Sequence, residues 1–158
     1  MKKLLGLITA VVIAVFGSGC KVSVSFTTGN TDKTAEELLE ATLNSVQFPQ
    51  LVRLDDEERI TDELGIDLSL VEEYAIMQQM LSVDVCEVII LIAKDDVAAR
   101  ELEVVLKSRK ESLINDFAFY PNQVAAAEAT EVGSMMNVAY LICLEEAAEA
   151  ELALVEAI

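Results

Sequence analysis

Cys20 is the residue with the clearest chemistry written around it. It follows Gly17-Ser18-Gly19, and an apolar run from Leu4 to Phe16, broken only by Gly6 and Thr9, precedes them. Lys2 and Lys3 come before the run. A cationic start, a short apolar segment and small residues form an export leader, because the charge stays on the cytoplasmic side and small residues admit a peptidase. The run is too short for a stable span, which takes about 20 apolar residues. A cysteine just after the cut suits anchoring by lipid on its sulfur. Gly17 departs from this pattern, standing where Leu is usual before such a cysteine. The alternatives are an uncleaved anchor, or an ordinary leader in which Cys20 is incidental. One acyl chain binds a bilayer reversibly and two hold stably. Lipid on Cys20 would therefore keep the chain at the cell membrane, on its extracytoplasmic face.

The rest of the chain offers little reactive chemistry. It has no histidine, which removes the usual general base near neutral pH and the commonest transition-metal ligand. Serine and cysteine nucleophiles paired with histidine cannot form within it. No phosphate-cradling or dinucleotide-binding glycine motif is present. Cys86 and Cys143 are too few for a four-ligand zinc site. They read as buried small hydrophobes, or as a cross-strand disulfide, which an extracytoplasmic address permits. Carboxylates are plentiful, and densest at Asp55-Asp56-Glu57-Glu58 and Asp95-Asp96. Neither run has the alternating acids and central glycine of a calcium loop. Both read as helix starts, where acids meet the positive end of the helix dipole. No catalytic, cofactor or metal residue is assigned, and the expectation is a protein that is not an enzyme.

The net charge is −17, and losing Lys2 and Lys3 with a leader would make the remainder more acidic still. Nucleic acid is excluded as a partner, because it is bound through Lys and Arg that release its counterions. Anionic headgroups should repel the chain as well. Cationic partners stay open: metal ions, basic peptides, or a basic face on another protein.

These residues need elements to hold them. The expected organisation is a leader over 1–19, the lipidated Cys20 with a tether over 20–33, and one α+β domain over 34–158. Thr34-Ala35-Glu36-Glu37 reads as a capping box, opening a helix with Leu38, Leu39, Thr42, Leu43 and Val46 at helical spacing. A short helix over Asp55–Leu64 stops at Gly65. Val71–Leu81 and Val85–Ala93 read as strands, the second nearly unbroken in its apolar character and so central. Asp95 or Asp96 caps a long helix carrying Ala98, Leu102, Val105, Leu106, Leu113 and Phe117 on one face. Glu103 and Lys107 are i,i+4 partners on it. Tyr120-Pro121 breaks that helix, and 122–127 forms a short helical turn. Thr130–Met135 and Asn137–Leu144 form a last hairpin, turning near Gly133 or Asn137, and Glu145–Ile158 a terminal helix. The fold expected is mainly an antiparallel sheet of about four strands with helices packed on it.

The chain resembles a family of small Gram-positive lipoproteins whose outer domain is known as domain of unknown function four-three-five-eight. The resemblance lies in the leader with its cysteine, Glu63-Leu64-Gly65-Ile66-Asp67, Glu72-Glu73-Tyr74 and the apolar strand running into Ala93-Lys94-Asp95. It continues in the helix ending at Phe119-Tyr120-Pro121 and the strand with Tyr140-Leu141-Ile142, and covers roughly residues 34–158. It implies an α+β domain outside the membrane and no known activity, substrate or catalytic residue. The last hairpin departs from the family's pattern: Ser134 to Ala139 stand between Gly133 and Tyr140, where a Tyr usually follows the Gly closely. The function expected is a non-catalytic interaction or accessory module with a protein partner in the cell envelope. A ligand or cation binder using the acidic clusters is the alternative, and a histidine-free envelope enzyme the third reading.

Overall fold

A computed structural model describes residues 29–79 and 85–158. The expected leader, Cys20 and the expected tether as far as residue 28 lie outside them, as do residues 80–84, so the strand expected to reach Leu81 is followed to Gln79.

The two apolar runs pair first. β2 (Val71–Gln79) lies antiparallel to β3 (Glu87–Ala93), with Ile76 opposite Ile89 and Ala75 opposite Ile90. β5 (Val138–Cys143) covers the other side of β3, and β4 (Glu131–Met135) pairs with β5. With β1 (Leu51–Arg53) at one edge, the sheet has the order β1-β2-β3-β5-β4, antiparallel throughout. The α+β reading holds, with five strands where about four were expected. The additional one is β1 (Leu51–Arg53), which pairs with the end of β2, Leu51 opposite Gln79 and Arg53 opposite Met77.

Every residue of β3 is buried, because helices cover both faces of the sheet. On one face Ile89, Leu91 and Leu141 pack with Ile60 of α2 (Glu57–Asp62) and with Leu102 and Leu106 of α3 (Asp96–Ser112). Ala126 and Ala127 of α4 (Pro121–Glu128) join this core. On the other face Val88, Ile90 and Ile142 meet Leu38 and Leu39 of α1 (Ala35–Asn44) and Leu154 of α5 (Ala147–Ala157). Each large aliphatic side chain buried this way contributes about 1.5–3 kcal/mol. The alternation along β3 feeds both cores from a single strand.

The helix ends are built as the side chains dictate. The capping box forms: Thr34 Oγ1 accepts from Glu37 N at 3.2 Å, and Thr34 N donates to the Glu37 carboxylate at 2.9 Å. Gly65, at φ +71°, closes α2 in the left-handed region that glycine enters freely. α3 continues into a π-helical turn over Leu113–Phe117, where Ala118 N bonds Leu113 O. That turn corrects the placing of Phe117. A π turn inserts an extra residue per turn and rotates the side chains that follow, so Leu113 stays buried while Phe117 faces solvent. The last hairpin turns at Met136-Asn137, and Gly133 sits in the middle of β4.

Candidate functional site

The acidic runs do structural work at helix starts. Asp56 caps α2, accepting from Glu58 N and Arg59 N, and Asp95 caps α3, accepting from Val97 N and Ala98 N at 2.9 and 2.8 Å. Among the described residues no group of three Cys, Asp or Glu side chains is placed to hold a metal ion. Cys86 belongs to the core beneath α1 and α5, and Cys143 to the core beneath α3. The two thiols thus lie on opposite faces of the sheet and are not bridged. Cys20 falls outside the described residues. No helix among the described residues is long and apolar enough to cross a membrane.

Three arrangements stand out that the acidic runs do not foretell. The first is a buried ion pair. Glu87, 3% exposed on β3, takes two hydrogen bonds from the Arg109 guanidinium, at 2.9 and 2.8 Å. Gln78 Nε2 donates to the same carboxylate at 3.3 Å, and the Phe117 ring centroid lies 5.1 Å from Arg109 Cζ. Burial works against the Arg109 charge, but the hydrogen bonds it donates to Glu87 outweigh that and hold the guanidinium above its ordinary value. The pair ties the end of α3 to the start of β3. Both oxygens of Glu87 are occupied, so the group is positioned as a strut. An acid set in the unbroken run Val85–Ala93 was its one sign in the sequence, because a buried charge needs a partner.

The second arrangement surrounds Tyr140. Its hydroxyl donates to Glu151 at 2.7 Å, and burial, helped by that carboxylate, pushes the phenol far up. Glu131 is also raised, by burial and then by Glu151. On the α3 side of the same hairpin, Ser134 donates to Glu103, which pairs with Lys107 at 2.6 Å as its spacing predicts. Burial pushes the Glu103 carboxyl up, but the bonds from Lys107 and Ser134 prevail and hold it below its usual range. These contacts fasten β4 to α3 and β5 to α5.

The third is apolar surface left in water. Phe117, Phe119 and Tyr120 are 47, 78 and 62% exposed, all within the connection from α3 to α4. This segment is held firmly. The backbone amides of Phe119 and Tyr120 both donate to Oε1 of the buried Gln123, at 2.9 and 3.0 Å, and Pro121 starts α4 behind them. A second apolar surface lies between α1 and β1. It is an open groove of about 370 Å³ with Leu39, Leu43, Phe48 and Met77 along it and Glu36, Glu40 and Arg53 at its rim.

The three tyrosines differ in their surroundings. Tyr140 is core, Tyr74 half-buried and Tyr120 solvent-facing. Periodicity alone cannot separate a buried aromatic from an exposed one just past a helix end.

No curated protein and no solved structure matches the chain. One family does, over residues 44–144. That segment holds all five strands with α2, α3, α4 and the aromatic connection, while α5 and nearly all of α1 flank it. The chain therefore belongs to the DUF4358 family, a domain of unknown function, as the motifs from Glu63 to Ile142 led one to expect.

Proposed function

We propose that this protein is a lipoprotein, anchored through Cys20 at the extracytoplasmic face of the cell membrane, whose domain is a non-catalytic docking module for another envelope protein. The observation that carries the reading is the aromatic connection. Large exposed apolar groups gathered in one place mark interaction surfaces, and aromatic residues dominate the energetics of such surfaces. Phe117, Phe119 and Tyr120 are displayed on a backbone already fixed by Gln123, so little ordering entropy opposes binding. The leader and Cys20 supply the anchor. Arg109, Glu103 and Tyr140, whose titration is shifted, are each engaged by a neighbouring side chain, which supports a binding role over catalysis.

The test is affinity capture of the tagged full-length chain from its own membranes, with Cys20→Ala and Phe119→Ser as controls. The reading expects a stoichiometric protein that is lost with Phe119→Ser, and an uncleaved precursor with Cys20→Ala. No partner in repeated captures, or a partner indifferent to Phe119, sinks the docking role. Unchanged processing of Cys20→Ala sinks the anchor.

A further inference from the structure

From the groove between α1 and β1 we infer a second binding surface, one that takes an extended, lysine- or arginine-bearing segment of a partner protein as an added strand. The inference rests on the docking reading above and names a different surface from the aromatic connection.

Three features converge there. β1 ends the sheet, so among the described residues its outer edge has no strand neighbour, and an open edge accepts a further strand through main-chain hydrogen bonds. The groove beside it has an apolar lining of Leu39, Leu43, Phe48 and Met77. Phe48 is 43% exposed and Leu43 and Met77 are half-buried, so the lining still has area to lose to a ligand. An added strand turns alternate side chains to one face, and that face would meet this lining. The rim carries the charge. Glu36 and Glu40 lie one turn apart on α1, and Arg53 is neutralised twice, by Glu36 and by Asp55 at 3.1 Å. Glu40 makes no ion pair among the described residues, which leaves the rim net acidic. A net charge of −17 draws a basic segment in and repels a second copy.

The test titrates the full-length chain, in neutral detergent micelles, with a capped peptide alternating lysine and valine. The readouts are the Met77 methyl signal and the backbone amides of Leu51–Arg53. Expected are saturable shifts at both, affinity weakened about tenfold by the charge reversal Glu40→Lys, and much weaker binding of a lysine–serine peptide. Absent shifts at Met77 and β1 overturn the inference. So does equal binding of the lysine–serine peptide, which would mean charge alone. The same shifts on concentrating the chain without peptide would also overturn it, by making a second copy the occupant. Membrane capture separates the two readings. A partner lost in Phe119→Ser but retained in Glu40→Lys, with no peptide binding, removes the groove and leaves the docking module. Peptide binding at the groove with no captured partner does the reverse.

Discussion

Gly133 stands directly opposite Tyr140 in the β4–β5 ladder, and its missing side chain is what gives the phenol its place. A Cβ at position 133 would lie 2.7 Å from Tyr140 Cζ and closer still to the hydroxyl. The ring covers the glycine and directs its hydroxyl at Glu151 on α5. The residues between Gly133 and Tyr140 are thus a hairpin of matched arms, which accounts for their wide separation in sequence.

Gly133→Ala should therefore force the ring aside and cost about 1–3 kcal/mol, as overpacking does. Tyr140→Phe keeps the ring and loses only a hydrogen bond to a charged acceptor, about 1.5 kcal/mol. Urea unfolding of the two variants checks the order. A larger loss for Tyr140→Phe would mean that the hydroxyl, not the fit over the glycine, fixes the hairpin.

Glu87 and Arg109 should behave as a unit. Removing one partner strands a buried charge, and Arg109→Met is expected to cost about 3–5 kcal/mol. The double variant Glu87→Leu with Arg109→Met should recover most of that loss, since no charge then remains buried. A double-mutant cycle by denaturant unfolding reads the coupling. Additive losses would show that Arg109 acts by packing its stem and not by pairing.

How far the sequence reveals this molecule depends on the length of each signal. The run Val85–Ala93 is long and apolar enough to declare a central strand, and Thr34 and Glu37 declare a helix start by chemistry alone. β1 is three residues long, too short for any period, and exists because β2 offers it a pairing edge. Phe117 keeps helical spacing from Leu113, but the π turn changes the phase just where the spacing is counted. The role of Gly133 depends on a residue seven positions away, and only the register joins them. The aromatic connection was legible as letters, Phe119-Tyr120-Pro121, but not as surface, because exposure is decided by what α3 and α4 leave uncovered.

Glu131 gives the fold a pH dependence with a definite sign. Burial raises its carboxyl, Glu151 adds to the rise and Lys110 opposes it. A raised folded value favours the protonated form. That stabilisation is present below the unfolded value, about 4.3, and is lost as pH rises through the higher folded value. At pH 7 it is absent, so Glu131→Gln, which mimics the protonated state, should raise Tm there. The gain should vanish at pH 4. Melting curves at the two pH values decide, and a gain of equal size at both would mean that relief of overall negative charge is responsible.

The β4–β5 turn can be improved at one residue and not at the other. Met136 holds φ 54°, in the left-handed region that costs an ordinary side chain about 1–2 kcal/mol. Asparagine tolerates that region better than methionine. Met136→Asn should therefore gain about 0.5–1 kcal/mol, while Met136→Val, branched at Cβ, should lose stability. Position 137 is the residue that cannot be changed without loss. The buried Asn137 side chain accepts from Thr31 N at 2.8 Å and donates to Ala93 O at 3.1 Å, so it fastens both the approach to α1 and the end of β3. Asn137→Gly removes both bonds and should cost about 1–3 kcal/mol, with faster amide exchange at Thr31 as its local sign. If Asn137→Gly instead stabilises the chain, turn geometry outweighs those two bonds, and the residues around Thr31 are not held by this side chain.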